Sequence, residues 1–159
     1  MVGPERESLL GWLDFHRATL AWKCDGLADD ALRLQSMPPS TLSLLGLVRH
    51  MAEVERHWFR RVIASETIRH VWSEEWDFQA AYDGSGCTRE EAFTAWQAEV
   101  EMARTIERGI GSLDDEFRVE SWECNASLRA ILMHLIHDYA RHNGHADLLR
   151  EGIDGTVGA

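Results

Sequence analysis

The segment Ser127–Gly155, SLRAILMHLIHDYARHNGHADLLREGIDG, constrains this chain more than any other, because a helical repeat there carries four of the eight histidines within twelve residues. Leu128, Leu132, Leu135, Tyr139, His142, Ala146 and Leu149 recur at alternating steps of four and three, which keeps one stripe of an α-helix facing a core. At about 100° per residue, Asp138, His145 and His134 fall along one flank of that stripe, while His137 points nearly opposite. Polar, ligand-type side chains therefore meet at the edge of an apolar seam. A buried, unpaired imidazole or carboxylate costs several kcal/mol, so the cluster needs partners. Asp138 and His142, four residues apart on one face, have the spacing with which two side chains of one helix reach a single ion. A hydrogen-bonded His–Asp pair with no metal satisfies the same two groups.

Upstream, Pro4 with Glu5 and Glu7 opens a helix to about Cys24, with Leu9, Leu10, Leu13, Leu20 and Trp22 as its apolar residues. Met37-Pro38-Pro39-Ser40 interrupts helix, and a second long helix runs from Thr41 to about Ser65. Leu44, Leu47, Val48, Met51, Val54, Trp58 and Val62 form its arc, with His50 at the edge and Glu55 on the apolar side. Glu55 is then a ligand, an acceptor for a histidine, or the partner of a buried arginine. His57 is expected to reach solvent.

Residues 66–86 break the periodicity with an aromatic, acidic stretch containing Trp72, Trp76, Phe78 and Tyr82. Its tryptophans either plug one end of the core or line a ligand mouth, Trp72 and Trp76 being the candidates. Thr88 to Glu91 reads as a capping box for a third helix to about Ile110. A strand-like segment, Leu113–Glu123, leads to Asn125 or Ser127 as cap of the last helix, which Gly152 and Gly155 close.

Four long helices with one long connection predict an all-α, four-helix bundle with a crossover between helices 2 and 3, as a single domain over residues 1–159. Such bundles build metal sites from facing helices, and His50 with Asp138 and His142 is the natural trio. Three protein donors with an open position describe a catalytic rather than a structural site.

Composition narrows the rest. A net charge of −11 argues against nucleic acid or an anionic membrane surface as partner. Three scattered cysteines form no thiolate motif, and no apolar run reaches the roughly 18 residues that span a bilayer, so a cytoplasmic location is expected. One lysine against fifteen arginines fits a GC-rich genome.

The runs TLSLLGLVRHMAEVERHWFRR and SLRAILMHLIHDYARHNGHADLLREGIDG, with WKCDGL and WDF between the helices, resemble the DinB-like superfamily of four-helix metalloproteins over essentially the whole chain. The resemblance implies one divalent ion, zinc or nickel, held by a second-helix histidine, here His50, and by a fourth-helix pair ending at His142. The first member of that pair is Asp138, where relatives place Glu or His, and His145 stands where relatives place Gln. Several members resemble thiol S-transferases that use mycothiol, bacillithiol or glutathione, and a related domain is the mycothiol-dependent maleylpyruvate isomerase. The implied function is metal-dependent transfer of a low-molecular-weight thiol to an electrophile in detoxification. The alternative is a non-catalytic, stress-related metal-binding protein. Under the enzyme reading Glu55 and His145 orient ligands or accept protons, and Arg49, Arg56 and Arg141 hold the polar parts of the thiol. A homodimer is also expected from the resemblance.

Overall fold

The computed structural model describes residues 3–73 and 77–158, with Phe78 described by its backbone alone. Its long helical elements are α1 (Glu5–Lys23), α3 (Leu44–Glu55) prolonged by a π-helical stretch (Arg56–Ile63), α5 (Arg89–Arg108) and α6 (Leu128–Asp154). Short helices α2 (Asp29–Arg33) and α4 (Phe78–Tyr82) lie in the connections. The segment expected to be strand-like is one arm of an antiparallel hairpin, β1 (Glu116–Val119) with β2 (Cys124–Ser127), in register from Glu116 opposite Ser127 to Val119 opposite Cys124. The architecture is the expected all-α four-helix bundle with a crossover between its second and third long helices. α1 packs along α6 and α3 along α5, and α3 also meets α6.

The helix ends follow from their residues. Thr88 and Glu91 close both halves of the capping box, and Ser43 and Ser127 accept from the backbone N–H groups of Gly46 and Ala130. α6 ends at Gly155, whose φ of +78° is left-handed. Gly152, expected to share that role, lies inside α6, where an added Cβ would sit 3.0 Å from Ser36 Oγ.

Leu13, Leu20, Leu47, Met51, Leu132, Leu135 and Tyr139 fill the core between the helices at 0% exposure. Trp22, expected in that core, is half exposed. Within the core runs one polar chain. Arg17 of α1 donates through Nε and an Nη to the two oxygens of Glu55 on α3, each at 2.8 Å. Tyr139 of α6 donates its hydroxyl to Glu55 Oε1 at 2.7 Å and accepts from Trp96 Nε1 of α5 at 2.8 Å. Each of the four long helices thus supplies one member of a network whose buried groups are mutually satisfied.

Beyond Glu55 the hydrogen bonding shifts from α to π, as in Ala64 N–H to Phe59 O. The wider winding turns each residue through less than the ~100° of an α-helix, so the α-periodic phase fails there. His57, expected in solvent, is only 8% exposed, because the flank it shares with His50 is covered by Trp58 and the hairpin's Trp122 at the cavity.

Candidate metal centre

Three donor side chains come together where α3 faces α6. His50, Asp138 and His142 each present a ligand-type atom within 4.8 Å of the others. Asp138 Oδ1 lies 3.3 Å from His142 Nε2, and the rings of His50 and His142 meet edge-on with centroids 4.7 Å apart. Two imidazoles and one carboxylate suit a borderline divalent ion such as zinc or nickel. An ion with bonds of ~2.1 Å holds neighbouring donors within roughly 4 Å of one another, so small side-chain adjustments close the set. The shorter Asp in place of Glu is accommodated because both of its partners stand close to it.

The crossover contributes a group that periodicity did not reveal. Tyr82, the last residue of α4, stacks on His50 with centroids 4.3 Å apart and planes 15° from parallel. Its hydroxyl lies 3.3 Å from His142 Nε2. Gly46 makes this docking feasible, since a Cβ there would fall 2.3 Å from the Tyr82 carbonyl oxygen. α3 fastens the rest of the crossover as well. Glu53 accepts from the backbone of Val71 and Trp72 and pairs with His70 Nδ1 at 2.7 Å, while Arg49 donates to the carbonyls of Ala80 and Ala81.

Burial sets the electrostatics. It pushes His50 down to about 4, with His142 adding to the effect and Asp138 opposing it, so the ring is neutral and keeps a lone pair at pH 7. For Asp138 burial pulls upward, but its pairing with His142 and the neighbouring His50 and His134 rings hold the carboxyl below its ordinary value. Burial, then Asp138, pushes the Tyr82 phenol up. His145 Nδ1 lies 3.3 Å from His142 Nδ1. With His142 Nε2 turned toward the donor cluster, Nδ1 of that ring carries the hydrogen toward His145, an assignment made from the bonding pattern.

The cluster opens into a cavity of about 570 Å³. Arg141 and His145 line its ligand end, and Trp58, Trp122, His134 and His57 line the other. Trp58 and His134 were read from the sequence as positions on helix arcs, without a role in a cavity. Trp122 went unnoticed because it sits in the 3-10 turn of the hairpin, where no helical phase applies.

Several expected site residues lie elsewhere. Glu55 neither touches the cluster nor lines the cavity: both oxygens serve Arg17 and Tyr139 in the core, the arrangement of an arginine partner. Arg56 is held by Glu99 and the Arg69 carbonyl, and Arg49 by the Ala80 and Ala81 carbonyls, and neither lines the cavity. Trp72 covers the Arg49 guanidinium and donates to the Arg49 carbonyl rather than lining the mouth. Trp76 lies outside the described residues. Arg141 alone of the three arginines reaches the cavity.

Comparison with known proteins decides the family. Residues 8–155 match the family described as mycothiol-S-transferase. The chain belongs to the mycothiol S-transferase family. This places it in the DinB-like superfamily. No curated protein matches it. Among solved structures, a conserved protein from Enterococcus faecalis is similar at a TM-score of 0.68 and 14% identity, covering 98% of this chain and 100% of that one. At that identity the likeness speaks to fold. Among the described residues, no helix of this mycothiol S-transferase family member is long and apolar enough to cross a membrane.

Proposed function

We propose that the protein transfers a low-molecular-weight thiol, mycothiol by family, to an electrophile, with a divalent ion held by His50, Asp138 and His142. The observation that carries the reading is the convergence of three donor atoms within 4.8 Å at the wall of a cavity of about 570 Å³. A core His–Asp pair needs no such opening. Zinc or nickel bound there would lower the pKa of a coordinated thiol and so supply thiolate at neutral pH.

The chain's own residues do the rest. His145 orients the His142 ring through Nδ1, and Tyr82 holds the plane of His50 by stacking on it. Arg141, exposed at the rim, offers a cation to the polar parts of the thiol.

The test is elemental analysis and adduct formation on protein purified without chelators or a histidine tag. Wild type is expected to hold about one equivalent of zinc or nickel and to form a mycothiol adduct with a generic electrophile, and His142→Ala to lose both. Metal without adduct formation would leave a non-catalytic metal-binding protein. Absence of metal, with no rise in melting temperature on adding zinc or nickel, would return the cluster to a structural role.

A further inference from the structure

The two ends of the cavity differ in chemistry. At the ligand end stand a carboxylate, a guanidinium, a phenol and imidazoles. At the other end three rings meet pairwise: Trp58 and Trp122 at 4.9 Å between centroids, Trp58 and His134 at 4.8 Å, Trp122 and His134 at 5.3 Å. None of the three pairs is parallel, with interplanar angles of 58°, 56° and 76°, so the rings present an angled wall of π-faces and edges. His134 and His57, the titratable members of this end, are both held below the ordinary histidine range, chiefly by burial.

Register fixes the separation of the two ends. His134 precedes Asp138 by one turn and His142 by two on α6, about 6 and 12 Å along the axis. A sulfur at the ligand end is therefore within reach of a small molecule lying against the rings. Trp122 supplies the second observation. It packs on two rings of the cavity and still leaves 43% of its surface exposed, on a hairpin turn fixed by Glu123 at φ +55°. An indole placed at a cavity mouth with that much surface uncovered is suited to take part in a ligand contact.

We propose that the Trp58–Trp122–His134 end is the acceptor subsite of the transfer reaction and takes planar, uncharged, conjugated electrophiles such as aryl enones. This assignment rests on the thiol-transfer reading above. In the step, the sulfur forms a bond to the β-carbon of the enone, and the C=C π pair moves onto the α-carbon and carbonyl. The proton given up by the thiol is returned to the α-carbon. The net change is addition of S–H across the double bond, with no leaving group and no external oxidant or reductant.

Binding is separable from chemistry by using saturated ketones, which cannot alkylate the exposed Cys124. Ligand-observed NMR on the full chain compares 4-phenylbutan-2-one with 4-cyclohexylbutan-2-one, of similar size but without a flat ring. The phenyl ketone is expected to bind about fivefold more tightly, Trp122→Ala to weaken it about tenfold, and Trp122→Phe to restore most of the affinity. Trp12→Ala, on the outer face of α1, is the control and leaves binding unchanged. Equal binding of the two ketones, or an unchanged affinity in Trp122→Ala, overturns the subsite. In parallel, adduct formation from mycothiol and 4-phenylbut-3-en-2-one is followed by mass spectrometry. Tight, Trp122-dependent binding without any adduct overturns the transfer reading and the acceptor role with it, leaving a site for flat aromatic ligands.

Discussion

Two polar clusters share the same pair of helices, with Tyr139 of one set between Asp138 and His142 of the other, yet they are built to opposite ends. Glu55 and Tyr139 belong to a closed cluster, where Arg17 and Trp96 complete the hydrogen bonding and Glu55 has 0% exposure. His50, Asp138 and His142 belong to an open one, where donor atoms converge on a cavity. The difference teaches how to tell a buried polar group that holds a bundle together from one left available to a ligand. In the first, each charge has a protein partner in bonding geometry. In the second, lone pairs face one another and leave a place for something else.

Removing a member of the closed cluster should give the largest loss of stability. Arg17→Met leaves the Glu55 carboxylate buried without its cation and is expected to cost about 3–5 kcal/mol in urea unfolding, part of which Glu55→Leu in the same chain recovers. A double variant no more stable than Arg17→Met would mean that the cluster is not held by this pair.

Next comes the seam between clusters and crossover. Gly46→Ala drives a Cβ into the Tyr82 carbonyl and is expected to cost about 1–3 kcal/mol while displacing Tyr82 from His50 and His142. Metal affinity should fall about 10–100-fold along with it. Unchanged affinity would show that Tyr82 does not position the donors.

A third test uses acid. Burial, Arg61, His70 and His134 hold His57 down to about 4, against ~6.5 in the unfolded chain, so the unfolded state binds the extra proton between those values. Stability should therefore be full above pH ~6.5 and fall as pH drops toward 4, by on the order of 2 kcal/mol for this residue. His57→Phe should reduce the slope measured by urea unfolding at pH 7 and 5, leaving the share of His50, which is also held down to about 4. A slope unchanged by the substitution would place the acid sensitivity elsewhere.

The smallest effect on folding belongs to the open cluster. Asp138→Asn keeps size and removes charge, and should move stability by no more than about 0.5 kcal/mol while reducing metal affinity more than about tenfold. A large loss of stability in the metal-free protein would erase the distinction between the two clusters.

What the sequence disclosed follows the same division. The α6 repeat and the i, i+4 spacing of Asp138 and His142 are local, so one helix's periodicity was enough to nominate them and to align His50 opposite. Glu55 was legible as buried but not as paired, because its partner lies 38 residues away on another helix and three roles fit the same position. His57 was placed on the correct flank but expected in solvent, because what covers that flank comes from other elements, the hairpin's Trp122 among them. Tyr82 and Trp122 reach the cavity from non-periodic segments, where only tertiary contacts assign a direction. Of the crossover aromatics, the sequence singled out the tryptophans, while the close approach at Gly46 selects the tyrosine.

With an ion bound, the arrangement of the donors would also couple metal supply to architecture. Two of them ride on α6 one turn apart and move together, so the third, His50, reports whether α3 has docked. An ion captured by all three binds only the assembled helices, and at a free concentration 100-fold above its dissociation constant it would add about 2.7 kcal/mol to folding. The supply of a trace element in the cell would then set not only how much of the protein works but how long each copy survives.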